Sequence, residues 1–481
     1  MKTPPNLLVI LSDQHQARAM SCAGHPVAQT PHLDALAARG TRFANAYTPS
    51  PICVPARAAF ATGRYCHDIR RWDNAMPYTG APRGWGHALQ DKGVRVESIG
   101  KLHYRNSDDD TGFDVQHIPM HVHDGVGMVW ASIRREDERI YHKKVRMMGD
   151  YVGPGESPYT RYDRAVTDRA CDWLAQTAEA KEPWCLYVGL VAPHHPLVAP
   201  QEFYDLYPPD ALPPDKLHPR HGYAQHPWIA KLAFAMVAED GWTDDAERRQ
   251  AIAAYYGLTS YMDHNVGRMI EALRASGQYD NTTIIYSSDH GENLGARGLW
   301  GKMNMYEESA AIPLIVSPAP DTGVTPRSTC GTTVSLLDIS ETIIDHFDAD
   351  LPGARPGQSL YDIAAAGDDT DRAVFSEYHA VGAVTGAFML RKGRWKLIEY
   401  VGFEPELFDL EADPEERIDR AQDPDHADTV AMMQAEMRKV CDPEAVDAAA
   451  FADQAAMIEG YGGREIAATL GAPSATPPPK L

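Results

Sequence analysis

The stretch Asn6-Leu7-Leu8-Val9-Ile10-Leu11-Ser12-Asp13-Gln14 decides the fold of this chain. Leu7 to Leu11 form an unbroken apolar run, which is typical of a strand that is buried on both faces of a parallel sheet. Polar Asp13 and Gln14 follow the run almost at once. Ligands of open parallel sheets bind beyond the carboxyl ends of the strands. We therefore expect a functional site to begin at these two residues.

Further apolar runs alternate with amphipathic segments up to about residue 370. The predicted strands cover residues 94–99, 184–191, 282–287 and 312–316. The predicted helices lie between a cap at Thr30 and a stop at Gly40, and over residues 159–180 and 244–276. Strands that alternate with helices predict an α/β fold, in which helices cover both faces of a mostly parallel central sheet.

The pattern changes near residue 370. Short strands are predicted on both sides of the turn at Lys392-Gly393, another strand over residues 407–410, and a helix over residues 428–440. We therefore predict an α/β domain over residues 1–370 and a smaller C-terminal α+β subdomain with an antiparallel sheet over residues 371–481. The Pro/Ala-rich end, residues 473–481, is predicted to be a tail.

The composition is that of an acidic globular protein. The chain has 481 residues, of which 44% are apolar, and its 45 Lys+Arg against 67 Asp+Glu leave a net charge of -22. Such a surface repels phosphates, so neither nucleic acid nor an anionic membrane is an expected partner. The longest later apolar run, residues 184–192, is far shorter than the about 20 residues of a membrane span. Seven cysteines without a Cys-x-x-Cys pair, and a start unlike an export signal, predict a cytoplasmic protein.

Residues of metal-binding or acid–base type follow four of the predicted strands. They are Asp13 and Gln14, Lys101 and His103, His194 and His195, and Asp289, His290 and Glu292. Each group alone has a plainer interpretation, such as a turn residue, a rigid surface loop or a solvated charge. Because the ends of parallel strands meet at one edge of the sheet, the set together predicts a site for metal-assisted or acid–base chemistry.

The sharpest short motif is Ser50-Pro51-Ile52-Cys53-Val54-Pro55-Ala56-Arg57. It places a cysteine in a proline-bounded loop that opens a predicted helix near residues 56–62. The N-terminus of a helix supplies N–H donors and lowers the pKa of a nearby thiol, which is one interpretation of Cys53. The plainer interpretation is a buried structural cysteine.

Cys53, Pro55 and Arg57 match the Cys-x-Pro-x-Arg element of the sulfatases, a family of the alkaline phosphatase superfamily in which the cysteine is oxidised to formylglycine. The fourth position, usually Ser, is Ala56. The further matches, in family order, are the opening stretch through Gln14, Gly100-Lys101-Leu102-His103, Pro193-His194-His195-Pro196, and Ser288-Asp289-His290-Gly291-Glu292 with Gly301-Lys302. Residues 407–414 resemble the family's C-terminal subdomain. The chain therefore resembles a sulfatase over most of its length.

The resemblance implies one divalent metal ion, with Asp13, Gln14, Cys53, Asp289 and His290 as its ligands. Gln14 stands where many relatives have a second Asp, so it would ligate through a neutral carbonyl oxygen. Sites made of oxygen ligands favour Ca2+, whereas a site that includes an imidazole suits Mn2+ better. We therefore favour Mn2+ over Ca2+.

The resemblance also implies a hydrolytic mechanism in which formylglycine at position 53 exists as a geminal diol. One hydroxyl attacks sulfur, and the collapse of the other to the aldehyde expels sulfate. The implied roles of the other residues are Arg57 for the diol, Lys101 and His103 for the sulfate oxygens, His194 and Lys302 for the leaving alcohol, and Asn74 for the substrate. Maturation would require a formylglycine-generating enzyme as a partner.

The predicted function is hydrolysis of a small sulfate monoester, and two alternatives stay open. One is a phosphonate monoester hydrolase or phosphodiesterase on the same scaffold, although such enzymes usually carry Tyr and Thr in place of Lys101 and His103. The other is an inactive anion-binding relative in which Cys53 remains a thiol. The pattern also resembles choline sulfatases, and the candidates for an aromatic cage around a cationic alcohol are Trp72, Trp130 and Trp300. Relatives with C-terminal extensions often form homodimers or homotetramers, which makes such an assembly an expectation here.

Overall fold

Strand β1 (Asn6–Asp13) lies in the interior of an eight-stranded sheet. The computed structural model describes residues 4–138, 148–214, 216–236, 239–472 and 475–480. The next strands, in chain order, are β2 (Thr41–Tyr47), β3 (Arg95–Lys101), β4 (Val115–Met120), β5 (Gly153–Pro154), β6 (Trp184–Pro193), β7 (Val198–Ala199), β8 (Thr282–Ser288), β9 (Leu314–Ser317) and β10 (Thr329–Ser335). The central sheet has the order β10-β2-β9-β8-β1-β6-β3-β4, and β5 pairs with β7.

Neighbouring strands of the central sheet are parallel except at β9, which runs antiparallel to both β8 and β2. The predicted mostly parallel sheet is therefore confirmed. Strand β1 has a partner on each edge and a core on each face. Leu8 and Ile10 enter one core, whereas Leu7, Val9 and Leu11 enter the other. This double burial is the reason for the unbroken apolar run.

Helices cover both faces of the sheet, as the sequence predicts. In chain order they are α1 (Pro31–Arg39), α2 (Cys53–Thr62), α3 (Cys66–Ile69), α4 (Trp85–Asp91), α5 (Pro158–Gln176), α6 (Gln201–Tyr204), α7 (Pro227–Met236), α8 (Asp245–Ala275), α9 (Glu307–Ala310), α10 (Leu336–His346), α11 (Leu360–Ala366), α12 (Ala427–Val440), α13 (Pro443–Gly460) and α14 (Arg464–Ala467). Helices α1, α5 and α8 pack into the core of Leu8 and Ile10, and helices α2, α4 and α10 into the opposite core. Among the described residues, no helix combines the length and the apolar composition that a membrane crossing requires.

A second sheet follows residue 370. Its strands are β11 (Ala373–Tyr378), β12 (Ala387–Lys392), β13 (Trp395–Tyr400) and β14 (Glu406–Asp409), each antiparallel to the next. Met433 and Met437 of α12 pack on one face of it, against Phe388 and Leu397. The predicted smaller antiparallel sheet is confirmed, while the division of the chain at residue 370 stays a prediction.

Several elements leave too weak a pattern in the sequence to be predicted from it. They are strands β2, β4 and β10 and helix α13. Helix α10 is also absent from the prediction, although its apolar residues have helical spacing and Ser335 forms a capping box with Asp338. Strand β10 shows the reason, because its sequence Thr-Cys-Gly-Thr-Thr-Val-Ser has little apolar periodicity. Its parallel pairing with β2, rather than its composition, makes it a strand.

Helix α1 begins in a different way from the prediction. Thr30 stands at the predicted cap position, but its side chain caps no helical N–H group and accepts from the Ser21 N–H at 2.9 Å instead. The carboxylate of Asp263, on α8, accepts from the N–H groups of His32 and Leu33 at 3.1 and 2.8 Å. The first N–H groups of a helix have no partner within the helix, so this contact both caps α1 and ties it to α8.

Gly189→Ala tests the close approach of β3 and β6. A Cβ atom at Gly189 would lie 2.0 Å from the carbonyl oxygen of Lys101. We expect the substitution to lower the free energy of unfolding by about 3 kcal/mol, because neither strand can move without disturbing the parallel pairing. Denaturant titration measures the change. Gly460→Ala is the matched control, since a Cβ there meets nothing within 4 Å, and equal stability of the two variants would contradict the close approach.

Candidate active site

Four side chains of ligand type meet at the carboxyl edge of the central sheet. Asp13 ends β1, Asp289 and His290 follow β8, and Cys53 is the first residue of α2. Their donor atoms all lie within 4.8 Å of one another, and all four side chains are buried. The structure thus brings together four of the five predicted metal ligands, and the fifth, Gln14, lies beside them.

The two carboxylates of this cluster are held in the same way, with one oxygen on a cation and the other facing inwards. Asp13 Oδ2 accepts from Lys101 Nζ at 2.7 Å and from Arg57 Nη2 at 3.2 Å. Asp289 Oδ2 accepts from Arg57 Nε at 2.7 Å. The inner oxygens, Oδ1 of both residues, lie 3.6 and 3.5 Å from His290 Nε2. The cluster therefore has carboxylate lone pairs directed at its centre.

His290 presents a bare nitrogen to the same centre. Its Nδ1–H donates to the Gly291 carbonyl oxygen at 3.1 Å, which sets the tautomer. Burial, helped by Lys302, holds the pKa of His290 well below its usual range, so the ring is neutral at pH 7. Nε2 thus directs a lone pair towards the inner oxygens of Asp13 and Asp289. Convergent lone pairs in a buried site are stabilised by a cation, so this donor set fits a divalent metal.

Neighbouring cations keep Asp13 ionised. Burial alone would raise the pKa of this carboxyl, but Lys101 and Lys302 are among the groups that outweigh it, and the pKa lies well below its ordinary value. Asp289 differs, because burial raises its pKa to about 6 and Arg57 offsets only part of that effect. The two carboxylates of the cluster therefore differ in basicity.

The surroundings of Cys53 correct one expectation. Its Sγ lies 3.1 Å from His290 Nε2, 3.3 Å from Lys302 Nζ and 3.6 Å from Asp13 Oδ1. Burial, reinforced by Asp13, raises the pKa of the thiol to about 12 although it stands at the start of α2. Of the two interpretations of Cys53, the buried cysteine fits the structure and the lowered pKa does not, because the loss of solvation outweighs a helix-terminus effect of about 1 kcal/mol. Without a metal ion beside it, the thiol form of Cys53 is therefore favoured at pH 7.

Gln14 lies between the cluster and Lys302. Lys302 Nζ donates to Gln14 Oε1 at 2.6 Å and also contacts Cys53 Sγ. The other side of the amide, Nε2, donates to Glu292 Oε2 and, at 3.4 Å, to His195 Nδ1. Burial opposes the charge on Lys302, but its acidic neighbours outweigh it and raise the lysine pKa. The amide oxygen and a charged lysine therefore both stand next to Cys53.

Two predicted histidines lie nearby with different contacts. His194 Nδ1–H donates to the His195 carbonyl oxygen at 2.6 Å, which leaves Nε2 facing Asp13 Oδ1 at 3.9 Å. His103 Nε2 shares a hydrogen bond with Thr476 Oγ1 at 2.9 Å, and its Nδ1 is buried without a hydrogen-bond partner in the described part of the chain. Burial holds the pKa of both rings well below the usual range. The positive charge of the site therefore comes from its lysines and arginine.

The end of the chain corrects a second expectation. Residues 473, 474 and 481 of the predicted tail lie outside the described residues, but Thr476 is buried and reaches the site. Besides its bond to His103, Thr476 accepts a hydrogen bond from the Tyr159 hydroxyl at its carbonyl oxygen. This segment therefore covers the side of the site on which His103 lies.

The three tryptophans predicted for an aromatic cage have different partners. Trp130 Nε1 donates to the Ala472 carbonyl oxygen at 2.9 Å, just before the covering segment. Trp72 Nε1 donates to Asp453, and Trp300 Nε1 donates to Glu239. Of the three, Trp130 is therefore the one tied to the segment that covers the site.

Asn74 and Arg57 support the start of α2. Asn74 Oδ1 accepts from the N–H of Val54, next to Cys53, at 3.2 Å. Its predicted contact with substrate stays a prediction. The hydrogen-bond acceptors of Arg57 are Asp13, Asp289, the Lys101 carbonyl oxygen and the Tyr187 hydroxyl.

The sequence analysis assigns no role in the site to three of its residues, Glu292, His195 and Thr476. Glu292 and His195 stand inside the two motifs that end β8 and β6, so their position is a usable signal. Thr476 lies in a Pro/Ala-rich segment that carries none.

The chain matches the sulfatase family model over residues 5–349 and the model of the N-sulphoglucosamine sulphohydrolase C-terminal region over residues 295–442. It is 33% identical to the choline-sulfatase of Rhizobium meliloti (strain 1021), in a match that covers 94% of this chain and 90% of that protein. It is 28% identical to arylsulfatase K of Homo sapiens, over 86% of this chain and 78% of that protein. Among solved structures, the phosphonate monoester hydrolase of Agrobacterium radiobacter has a TM-score of 0.73 at 22% identity, covering 91% of this chain and 95% of that chain.

The structural likeness at this low identity shows a shared fold. The sulfatase match goes further, because it spans well over half of the chain and includes every strand of the central sheet. The buried cluster around Cys53 lies inside the matched region. On this evidence the chain belongs to the sulfatase family of sulfuric ester hydrolases.

Proposed function

We propose that the chain hydrolyses small sulfate monoesters to an alcohol and sulfate, with a formylglycine made from Cys53 as its nucleophile. The observation that carries the proposal is the place of Cys53, which is 1% exposed between Asp13, His290 and Lys302. As a thiol with a pKa of about 12 it is a poor nucleophile at pH 7. A hydrated formylglycine would supply one hydroxyl to attack sulfur and a second whose collapse to the aldehyde releases sulfate.

We infer that Asp13, Gln14, Asp289 and His290 hold one divalent metal ion beside this residue. A bound metal would polarise the ester and lower the pKa of the attacking hydroxyl. The inner carboxylate oxygens and the bare imidazole nitrogen supply charged and neutral donors, and Gln14 Oε1 adds a neutral oxygen. A set with one nitrogen and one neutral oxygen favours Mn2+ over Ca2+.

The groups around Cys53 suit a sulfate ester. Lys302 keeps its charge 3.3 Å from Cys53 Sγ, where it can stabilise the charge that develops on the leaving oxygen. His103 Nδ1 has no partner within the described residues and offers a hydrogen bond to a sulfate oxygen. His194 is neutral in the free site, and an anionic substrate would favour its protonated form, which then gives the proton to the alcohol.

A phosphonate monoester or a phosphodiester is the alternative substrate class. The likeness to a phosphonate monoester hydrolase supports the scaffold and leaves the substrate open. The sequence favours sulfate because of two cationic groups at Lys101 and His103, but burial keeps His103 neutral. A direct comparison of substrates therefore decides between the two.

Turnover of an aryl sulfate, choline sulfate and a matched aryl phosphonate monoester is the first test. We expect kcat/KM to be higher for a sulfate than for the phosphonate, and Cys53→Ala to lower it by about 10⁴-fold because the nucleophile is lost. Mass spectrometry of the peptide over residues 43–57 should show formylglycine, which is lighter than cysteine because an oxygen replaces the sulfur and two hydrogens are lost. Faster turnover of the phosphonate would favour the alternative substrate. A thiol in every molecule from the native host would instead indicate an inactive relative.

Asp289→Asn tests the metal site. The substitution keeps the shape of the side chain but removes a charged donor, so we expect the Kd for Mn2+ to rise about 100-fold. Electron paramagnetic resonance measures free Mn2+ directly. Asp368→Asn is the control, because Asp368 pairs with Arg327 on the surface. This variant should bind Mn2+ like the unaltered protein. Unchanged affinity in the Asp289 variant would remove this residue from the ligand set, and tighter binding of Ca2+ would reverse the metal preference.

Thr476→Val tests the contact between the covering segment and His103. The variant keeps the shape and loses the hydroxyl, so kcat/KM for a sulfate ester should fall about 5-fold, as expected for a hydrogen bond of about 1 kcal/mol. The Kd for Mn2+ should not change. Thr469→Val is the matched control, since its exposed hydroxyl donates to the Ile466 carbonyl oxygen. Full activity of the Thr476 variant would show that this contact does not serve turnover.

A further inference from the structure

Glu292 is a fully buried carboxylate next to the site that the proposed mechanism does not use. It follows Asp289-His290-Gly291 in the chain. Its Oε1 accepts from the N–H groups of Leu294 and Gly301 at 2.8 and 2.6 Å. Its Oε2 accepts from Gln14 Nε2. One carboxylate therefore connects the loop after β8, the residue before Lys302, and the side chain of Gln14.

The contacts of the Gln14 amide identify its two ends. Lys302 Nζ can only donate, so the atom that faces it at 2.6 Å is the oxygen. On the opposite side, Glu292 Oε2 accepts from the amide nitrogen, and so does His195 Nδ1 at 3.4 Å. Burial and Lys302 keep the pKa of His195 well below its usual range, so this ring nitrogen can act as an acceptor.

The backbone of Gln14 is held in place, so only the orientation of its side-chain amide can vary. Its φ of 67° lies in the left-handed region, and its N–H donates to Asp289 Oδ1 at 3.3 Å. Its carbonyl oxygen accepts from the Tyr255 hydroxyl at 2.8 Å. The side chain thus starts from a fixed point, and a half-turn of the amide would exchange oxygen for nitrogen. Only the oxygen can ligate a metal, because the amide NH2 has no lone pair to offer.

We propose that Glu292 is a positioning residue that holds the Gln14 carbonyl oxygen towards the metal site. The proposal rests on the metal site inferred above and extends it beyond the ligands themselves. Through its bond to the Gly301 N–H, the same carboxylate also fixes the loop that carries Lys302. The Glu292 carboxylate therefore fixes the positions of both the neutral ligand, Gln14, and the charged Lys302.

Glu292→Gln should remove the hydrogen bond that orients the Gln14 amide. The amide oxygen of the substituted side chain continues to accept from the backbone N–H groups of Leu294 and Gly301, which leaves its NH2 facing the NH2 of Gln14. The two donors repel, and a half-turn of the Gln14 amide would only place its NH2 against the ammonium of Lys302, so the amide oxygen is no longer held towards the metal site. We expect the Kd for Mn2+ to rise about 10- to 100-fold, as is typical when the group that orients a ligand is lost.

A second substitution should restore binding. In the double variant Gln14→Glu with Glu292→Gln, the carboxylate at position 14 accepts from the new NH2 with one oxygen and directs the other to Lys302 and the metal. The Kd for Mn2+ should return to within about 3-fold of the unaltered protein, a recovery that corresponds to about 0.7–2 kcal/mol of coupling. Gln14→Glu alone should give no such gain, because its carboxylate faces the carboxylate of Glu292.

The measurement is Mn2+ binding by electron paramagnetic resonance, on protein whose Cys53 is an unmodified thiol. No turnover is needed, so an error in the proposed substrate or nucleophile does not affect the result. Thermal unfolding of each variant checks that it is folded. If Glu292→Gln does not fold, Glu292→Asp takes its place, since it is one methylene shorter and should lose the bond to Gln14.

The outcomes separate the two proposals. Failure of the unaltered protein to bind Mn2+ would overturn the metal site and this inference with it. Binding by the unaltered protein with an equal Kd in the folded Glu292→Gln variant would overturn the positioning role alone. A loss that Gln14→Glu does not repair would show that Glu292 supports the loop without orienting the amide.

Discussion

The buried guanidinium of Arg57 is the contact on which the site depends. Two carboxylates, Asp13 and Asp289, are withdrawn from water at the ends of adjacent strands, at a cost of several kcal/mol per ion unless each is paired. Arg57 pairs with both and also donates to the Lys101 carbonyl oxygen and the Tyr187 hydroxyl. Burial works against its charge, but Asp289 leads the groups that raise its pKa well above the ordinary value. One side chain of α2 thereby joins the ends of β1, β3 and β8 to β6.

This pairing also gives the two oxygens of each carboxylate different partners. The outer oxygens are held by cations, so the inner oxygens keep their lone pairs for the centre of the cluster. The parallel register of β1 with β6 and β8 brings these groups together. Ser12 pairs with Ser288 and Asp13 with Pro193, so the residues that follow β1, β6 and β8 emerge at one level. A sheet with β1 on the edge would have only one of these neighbours.

The sequence predicts the parts of the site that have a local signature. The apolar run of β1 and the residues that follow each strand are adjacent in the chain, so pattern alone indicates them. Glu292 and Thr476 contact residues that are distant in the sequence, so their roles depend on which side chains the fold places opposite them. The thiol pKa of Cys53 is a similar case, because a helix start is visible in the sequence but complete burial beside Asp13 is not. Long-range packing therefore determines which further residues join the site and whether the thiol pKa of Cys53 is raised or lowered.

The same packing constrains when Cys53 can be modified. Every residue of α2, including Cys53, Pro55 and Arg57, is buried in the folded chain. Arg57 is moreover bound to two carboxylates, so a modifying enzyme could not reach it without breaking the pairs that hold the site together. Any enzyme that modifies Cys53 would therefore have to act on this segment while it is unfolded. In the folded chain, Arg57 supplies the charge that stabilises two buried carboxylates.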